Sequence, residues 1–186
     1  MKTKIVAIQA DSIHKINQHT DTTLVLALEA QRRKYKIFWF EPKDVSFINS
    51  KLITKVKILK LFDDKKKFFK VIGTSKFEIS KANVVLIRQN PPFDMDYINS
   101  TLLLEIIKDK TKIINDPLSI RNISEKLFSI HFTKYMPPTI FTKNYDEIKN
   151  FYNKHREIVI KPINGYGGKN IIFLNKSFNK KLIQHY

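Results

Sequence analysis

The 186-residue sequence has no cysteine, only four glycines and one tryptophan, and no long apolar run. Without cysteine there is no disulfide framework, no thiol nucleophile and no cysteine-based zinc or iron–sulfur site. The longest apolar stretches, Thr23–Leu28 and Thr101–Leu104, fall well short of the roughly 18 residues that span a bilayer. The Ile5–Ile8 run is likewise too short for the core of a signal peptide. These absences predict a cytoplasmic protein that has no membrane partner.

Acidic residues are also scarce, at 17 against 34 basic residues, and the formal net charge is +17. The basic residues are 29 lysines and only 5 arginines, which fits a bias towards AT-rich codons. Proteins that read nucleic acids depend on arginine for bidentate contacts. The densest lysine cluster, Lys65–Lys67, follows Asp63 and Asp64 in a polar turn. We therefore predict no specific nucleic-acid partner, although polyanions should be attracted non-specifically at low salt.

The N-terminal part alternates strand and helix patterns. Lys4–Gln9 is a short run rich in isoleucine and valine, Asp21 or Thr22 can cap a helix that ends at Arg33, and Lys36–Phe40 is the next strand. A β-α-β order with a helical crossover is typical of a parallel sheet.

The middle of the chain changes character and then becomes regular again. Phe47–Ser80 has short alternating stretches without helical periodicity, which predicts hairpin-like or irregular structure. The predicted elements that follow are strand Asn83–Gln89, helix Met95–Lys108, strand Lys112–Asn115 and helix Ile120–Phe132. In the first of these helices, Ile98, Leu102 and Ile106 are expected on one apolar face.

Composition alone places a boundary at Met136-Pro137-Pro138. The predicted elements beyond it are strand Thr139–Thr142, helix Asp146–Lys154, strand Glu157–Lys161, a glycine loop, strand Asn170–Leu174 and a basic tail. The fold class is thus α/β, a parallel-sheet domain followed by the beginning of a second domain.

Three of the four glycines fall within Gly165-Tyr166-Gly167-Gly168, between two predicted strands. Glycines let the backbone approach a ligand and point successive N–H groups at an anion, so the loop is a candidate phosphate cradle. The alternative is a plain β-turn. The P-loop pattern is excluded, since no Gly-Lys-Ser/Thr follows.

Three cations are candidates for ligand contacts. Lys161 ends a strand beside the glycine loop, where its ammonium could pair with a phosphate oxygen. Lys126, taken alone, fits a solvated helix lysine. Arg88 is at the carboxyl end of a predicted strand, where α/β sheets bind ligands, and it could grip a carboxylate or form a salt bridge with Asp94 or Asp116. No local motif identifies a catalytic residue, and the five histidines show no metal-ligand spacing.

Four stretches of the chain together carry a family resemblance. They are Leu28–Arg33, Leu86–Asp94 with its Arg-Gln-Asn-Pro-Pro-Phe-Asp block, Ser119–Arg121 with Glu125–Phe128, and Ile160–Pro162 with the glycine loop. Their residues, order and spacing resemble prokaryotic glutathione synthetases, a family of ATP-grasp ligases, from residue 1 to about residue 174.

The resemblance implies a pre-ATP-grasp domain over residues 1–122 and a partial ATP-grasp domain over residues 123–186. It implies that ATP drives the ligation of γ-glutamylcysteine to glycine through an acyl phosphate, giving glutathione, ADP and phosphate. Another ATP-grasp carboxylate–amine ligase, such as a D-alanine–D-alanine-ligase-like enzyme, is the alternative within the superfamily, and the Pro-Pro block argues against it. A basic nucleic-acid-binding domain is the alternative of a different class. One continuous lysine face would favour that domain, and an even scatter would favour the ligase.

The resemblance also implies roles for individual residues. The implied ATP contacts are Lys126, Lys161, Gly165, Tyr166, Gly167 and Gly168, and the implied peptide-substrate contacts are Arg88 and Asn90. Magnesium would bridge phosphate oxygens. The chain departs from the expected pattern at Asn90 and Asn164, where aspartates are expected.

The end of the sequence bears on the metal. No Asp or Glu follows Glu157, and magnesium needs oxygen ligands, carboxylates above all. We therefore expect the metal ligands beyond residue 186 and a chain truncated relative to its family. The fragment alone is expected to lack ligase activity and to be poorly protected from proteolysis beyond about Thr133. The full-length protein is expected to be a homo-oligomer.

Overall fold

The computed structural model describes residues 3–64 and 67–175, which form two compact units divided between Asn122 and Ile123. Lys65 and Lys66 of the lysine cluster and the basic tail beyond residue 175 lie outside the described residues. None of the described helices combines the length and hydrophobicity that a bilayer span requires.

The first unit is a mixed sheet with helices on it. Its described strands and α-helices are β1 (Ile5–Gln9), α1 (Thr22–Arg32), β2 (Lys36–Phe40), β3 (Ser46–Ile48), β4 (Lys51–Leu61), β5 (Phe69–Glu78), β6 (Val84–Ile87), α2 (Met95–Glu105), β7 (Lys112–Ile114) and α3 (Pro117–Asn122). The strand order is β3-β4-β2-β1-β6-β7, with β5 paired to β4. Strands β2, β1, β6 and β7 are parallel, and β3, β4 and β5 join antiparallel. The α/β fold class is confirmed. The sheet consists of a parallel core, β2-β1-β6-β7, which β3, β4 and β5 extend on one side as antiparallel strands.

The segment expected to be hairpin-like forms the long β4–β5 hairpin. Alternation explains β4, since Leu52, Thr54 and Val56 are buried while Lys51 and Lys55 are exposed. A register shift follows Ile58, and β5 has one extra residue there. The hairpin continues the same sheet.

The core of the first unit lies on both faces of the sheet. Ala7, Val85 and Leu104 belong to one buried cluster, and Ile8 and Trp39 belong to the other. Because successive strand residues point to opposite faces, β1 contributes to both clusters. Sheets covered on both faces need the near-continuous apolar runs that the sequence shows in β1 and β6.

The prediction of which residues of α2 are buried is wrong in part. Leu102 and Ile106 are 47% and 54% exposed, whereas Thr101 and Leu104 are fully buried. Apolar residues occupy more than one face of this helix, so periodicity alone fits two orientations. The helix begins where the Asp94 side chain accepts the backbone N–H of Tyr97, and contact with the sheet decides which face is covered.

The second unit contains a 3₁₀ helix over Leu127–Tyr135, α4 (Tyr145–His155) and a two-stranded antiparallel sheet of β8 (Ile158–Ile160) and β9 (Ile172–Leu174). Two predicted elements are wrong. The helix expected over Ile120–Phe132 is interrupted, since α3 ends at Asn122 and the following helix is 3₁₀. The strand expected over Thr139–Thr142 has no ladder partner among the described residues. The predicted helix and strands of the remaining segment are confirmed within two residues.

Candidate functional sites

The first candidate site lies at the point where the strand order of the first unit reverses. The chain passes from β1 through α1 to β2 on one side, and β6 lies on the other side of β1. Open α/β sheets bind ligands beyond the carboxyl ends of strands at this switch point. Here those ends are Gln9 of β1 and Arg88 directly after β6.

Arg88 is held at this point by neutral groups. Its backbone N–H donates to the carbonyl of Gln9 at 2.7 Å, and its guanidinium donates from Nε to Thr23 Oγ1 at 3.1 Å and from Nη2 to Thr22 Oγ1 at 2.7 Å. No ion pair joins Arg88 to a carboxylate within residues 3–64 and 67–175, so the salt bridge to Asp94 or Asp116 is not formed. A half-buried arginine that is fixed but not neutralised can bind an anion.

Asp11 supplies a carboxylate at this strand switch point. The backbone N–H of Asn90 donates to Asp11 Oδ2 at 2.9 Å, and the Asp11 carbonyl accepts Trp39 Nε1 at 2.9 Å. Sequence reasoning missed Asp11, although its place in the polar turn after β1 was a usable signal. Tyr97 is close by: burial raises the pKa of its hydroxyl, the positive charge of Arg88 opposes this rise, and the negative charge of Asp11 adds to it.

A buried network of polar side chains underlies the candidate site of the first unit. Gln9 is fully buried, its Nε2 donates to Gln89 Oε1 at 2.6 Å, and Ser100 Oγ donates to the same oxygen at 3.1 Å. Gln9 Oε1 has no hydrogen-bond partner among the described residues. Buried polar atoms without a partner are rare in native proteins. The Gln9 Oε1 atom therefore indicates that a further polar group can bind at this strand switch point.

The second candidate site surrounds the glycine loop, which joins β8 to β9. The backbone N–H of Gly165 donates to the carbonyl of Pro162 at 3.1 Å, and a Cβ at Gly165 would lie 2.5 Å from Pro162 Cγ. Gly167 and Gly168 adopt φ values of +59° and +72°, which favour glycine. Lys169 Nζ lies 5.1 Å from the centre of the Tyr166 ring. Close packing and left-handed backbone thus explain the three glycines.

Lys126 is attached to this loop. Its Nζ donates to the carbonyl of Gly165 at 2.5 Å and to that of Ile163 at 3.4 Å, and its side chain is only 20% exposed. Its ion pair with the exposed carboxylate of Glu125 is long, at 3.7 Å. The interpretation of Lys126 as a solvated helix lysine does not hold.

Lys126 and Lys161 line the same open cavity of about 830 Å³ within the second unit. Most of its wall is apolar, with Ile160, Phe173 and Leu174 from the small sheet. The structure therefore brings Lys126, Lys161 and the start of the glycine loop together. Arg88 and Asn90 belong to the site of the first unit. The cavity has the form of a ligand site, an apolar wall with a few cationic groups.

The described residues do not fit a magnesium site. No group of three His, Asp or Glu side chains within residues 3–64 and 67–175 could hold a metal ion. Magnesium prefers oxygen ligands, and the cationic groups at the cavity are unsuitable.

Comparison with known proteins agrees with the two-unit organisation. The family model for the prokaryotic glutathione synthetase N-terminal domain matches residues 5–121, and the model for the ATP-grasp domain of the same family matches residues 125–184.

Individual relatives give the same result. Glutathione synthetase of Bradyrhizobium diazoefficiens is 42% identical over 163 residues, which is 88% of this chain and 52% of the relative. The synthetase of Agrobacterium fabrum is 41% identical, over 91% of this chain and 53% of the relative. That of Escherichia coli O157:H7 is 35% identical, over 89% and 53%. The chain spans about half the length of these relatives. It belongs to the prokaryotic glutathione synthetase family.

Proposed function

We propose that this chain supplies the peptide-substrate domain and the phosphate-binding loop of a glutathione synthase. The reaction is the ATP-dependent ligation of γ-glutamylcysteine to glycine through an acyl phosphate, giving glutathione, ADP and phosphate. Residues 1–122 serve as the pre-ATP-grasp domain and residues 123–186 as part of the ATP-grasp domain. The family membership supports this function.

The nucleotide site is proposed at the cavity of the second unit, with Lys126, Lys161 and Gly165–Gly168 as contacts. The observation that carries the proposal is that Lys126 both lines the cavity with Lys161 and holds the carbonyl of Gly165. When phosphates enter, their oxygens replace carbonyl oxygens as partners of the Lys126 ammonium, a charge-assisted contact that is stronger than the one it replaces. This exchange frees the loop to close over the phosphates, and the apolar wall accommodates the base.

The peptide site is proposed at the strand switch of the first unit. γ-Glutamylcysteine carries an α-carboxylate and an α-ammonium group on its glutamyl end. Arg88 would bind that carboxylate through its guanidinium, which the hydroxyls of Thr22 and Thr23 hold in place. Asp11, which already accepts the N–H of Asn90, would bind the ammonium. Asn90 can contribute a hydrogen bond but no charge.

The nucleotide assignment is tested by replacing Lys161 with Met in the 186-residue chain and measuring ATP binding by titration calorimetry. Removal of one charge-assisted contact should weaken binding by about 1–3 kcal/mol, which is roughly 5- to 150-fold. Lys149→Met is the matched control, since Lys149 is an exposed lysine of α4 that does not line the cavity. Equal affinity in both variants would contradict the role of Lys161.

The peptide assignment has a separate test. Arg88→Gln should weaken the binding of γ-glutamylcysteine and leave ATP affinity unchanged. Arg32→Gln is the control, because Arg32 pairs with the exposed Glu29 on the surface of α1. Weakening of both ligands by Arg88→Gln would point to general destabilisation, and circular dichroism melting separates that outcome.

A further inference from the structure

The hydroxyl of Tyr97 lies at the strand switch point of the first unit and has only a weak partner there. Its Oη is 3.5 Å from the carbonyl oxygen of Gln89, and the structure gives this hydroxyl no other hydrogen bond among residues 3–64 and 67–175. Hydrogen bonds from a hydroxyl to an oxygen are normally about 2.5–3.0 Å long. The side chain is only partly buried. The Tyr97 hydroxyl can therefore donate to a ligand at little cost.

The position of the Tyr97 ring is fixed by its neighbours. The backbone N–H of Tyr97 donates to Asp94 Oδ1 at 3.0 Å, and its carbonyl accepts Ser100 Oγ at 2.8 Å. The ring of Phe93 packs against the Tyr97 ring, with 5.1 Å between the two ring centres. A side chain that is held before the ligand arrives loses little conformational entropy when the ligand binds.

Two opposite charges lie near this hydroxyl. Gln89, whose carbonyl it approaches, stands in the chain between Arg88 and Asn90, and the N–H of Asn90 donates to Asp11 Oδ2 at 2.9 Å. Burial raises the pKa of the Tyr97 hydroxyl, the positive charge of Arg88 lowers this pKa, and the negative charge of Asp11 raises it. The hydroxyl thus stays protonated at neutral pH, and both charges are within electrostatic reach of it.

Arg88 has hydrogen-bond donors left for a ligand. A guanidinium carries five N–H groups. Two of them, on Nε and Nη2, donate to Thr23 and Thr22, and the described residues offer no acceptor to the others. Those on Nη1 and Nη2 lie side by side and match the two oxygens of a carboxylate. Each carboxylate oxygen has two lone pairs, so a carboxylate bound by Arg88 can accept a further hydrogen bond.

We propose that Tyr97 determines the ligand specificity of this site, because its hydroxyl donates a hydrogen bond to the carboxylate that Arg88 binds. This inference rests on the peptide site proposed above and names the part of the ligand that is recognised, a free α-amino-acid end. Arg88 alone would bind carboxylates and phosphates alike. Asp11 repels a doubly charged phosphate and attracts the ammonium group beside an α-carboxylate. The glutamyl end of γ-glutamylcysteine has both groups.

The test uses titration calorimetry of the 186-residue chain with three ligands. They are γ-glutamylcysteine, 4-aminobutyrylcysteine, which lacks the α-carboxylate, and glutarylcysteine, which lacks the α-ammonium group. Tyr97→Phe removes only the hydroxyl. It should weaken binding of γ-glutamylcysteine and of glutarylcysteine by roughly 10-fold or more, since a hydrogen bond to a charged group is lost. Binding of 4-aminobutyrylcysteine should not change, which would also show that the variant is folded.

A double-mutant cycle gives the same information from γ-glutamylcysteine alone. If Tyr97 and Arg88 bind one carboxylate, Tyr97→Phe should have a much smaller effect in a chain that already carries Arg88→Gln. Tyr35→Phe is the matched control. It removes a hydroxyl from a partly buried tyrosine directly before β2, at the opposite edge of the sheet, and should leave all affinities unchanged.

Each remaining outcome contradicts the inference in a distinguishable way. Weaker binding of γ-glutamylcysteine by Arg88→Gln but not by Tyr97→Phe would overturn the role of Tyr97 and leave the proposed function standing. Equal weakening of all three ligands by Tyr97→Phe would also overturn it, because the hydroxyl would then support the site in general. If the parent chain does not bind γ-glutamylcysteine, the proposed peptide site fails, and the inference fails with it.

Discussion

The two units of this chain differ in how completely they bury their apolar side chains. In the first unit both faces of the sheet are covered, and Ile8, Trp39 and Leu104 are almost inaccessible. In the second unit the described buried cluster centres on Tyr152 and Leu174, while Tyr135 and Phe173 are 75% and 71% exposed. Apolar residues are abundant in both units, so the two units differ in how much of the apolar surface is covered and not in how much apolar surface they have.

Coverage of apolar side chains explains one set of successes and one failure of the local sequence patterns. Strands β1, β2 and β6 have neighbours that satisfy their backbone groups and cover their side chains, and each was predicted within two residues. Residues 127–132 carry a helical pattern without a buried residue, and the structure has a 3₁₀ helix there. Helices in proteins depend on packing of an apolar face more than on propensity.

Replacement of Leu104 by Ala tests the first unit with the largest expected effect. The Leu104 side chain is packed in the core and inaccessible to solvent, so the cavity should lower the free energy of unfolding by about 2–5 kcal/mol. The single tryptophan, Trp39, is buried in the first unit, so its fluorescence during urea unfolding reports on that unit.

Two further variants make this measurement specific. Leu102→Ala removes the same atoms from an exposed position of α2 and should change stability by less than about 0.5 kcal/mol. Leu174→Ala removes a buried side chain of the second unit and should leave the Trp39 transition unchanged. Destabilisation of the Trp39 transition by Leu174→Ala would show that the two units unfold together, and their different coverage would then not make them independent in stability.

The fold was predictable as far as local pattern and strand order determine it. The β-α-β order and the capping aspartate at Asp21 predicted β1, α1 and β2, and Asp21 does accept the N–H of Thr23 at 2.7 Å. The antiparallel pairing of β4 with β2 was not predictable, because local pattern does not say which strands become neighbours. The covered face of α2 was ambiguous, because apolar residues lie on several sides of that helix.

The candidate sites were predictable in part. Rare residue types were informative: Arg88 lies in the candidate site of the first unit, and the glycine cluster lies in the candidate site of the second unit. Local pattern gave no reason to select Gln9 or Ser100, since each acts through partners distant in sequence. The attachment of Lys126 to Gly165 spans 39 positions and was equally invisible to local pattern.

Gln31 offers a test of intermediate size in the first unit. Its side-chain amide donates to the carbonyl of Leu61 at 2.9 Å and accepts the N–H of Leu61 at 2.8 Å, which joins α1 to the end of β4. Gln31→Ala leaves both backbone groups without these bonds and should cost about 1–3 kcal/mol in the Trp39 transition.

The adjacent Arg32 provides the control for Gln31. Arg32 and Arg33 donate to Glu29 and lower the pKa of its carboxyl to about 2, but the ion pair of Arg32 is on the surface. Arg32→Ala should therefore cost much less than Gln31→Ala, because surface ion pairs contribute little to stability. If Arg32→Ala cost as much as Gln31→Ala, the attachment of α1 to β4 would not be a main support of the first unit.

The smallest expected effects compare one glycine from each unit. Gly167 has a φ of +59°, and a Cβ at this position would have no atom within 4 Å, so Gly167→Ala adds only backbone strain, about 1 kcal/mol. Gly73 lies in β5, where a Cβ would make an ordinary contact at 3.6 Å with Ile58 Cδ1. Gly73→Ala should be neutral or stabilise the strand by about 0.5 kcal/mol, because alanine loses less conformational entropy.

Replacement of glycine by alanine is thus expected to lower stability at Gly167 in the second unit and to leave it unchanged or raise it at Gly73 in the first unit. Amide hydrogen exchange of β8 and β9 measures the effect of Gly167→Ala, and the Trp39 transition measures that of Gly73→Ala. In the unaltered chain, exchange at Gly165–Gly168 should be faster than at Val84–Ile87, because the loop has few side chains to pack. Slow exchange at the loop, together with a neutral Gly167→Ala, would mean that the loop is held by more than its backbone hydrogen bonds and the Lys126 ammonium. The strain at Gly167 would then be offset by packing, and the poorer coverage of the second unit would not extend to its loop.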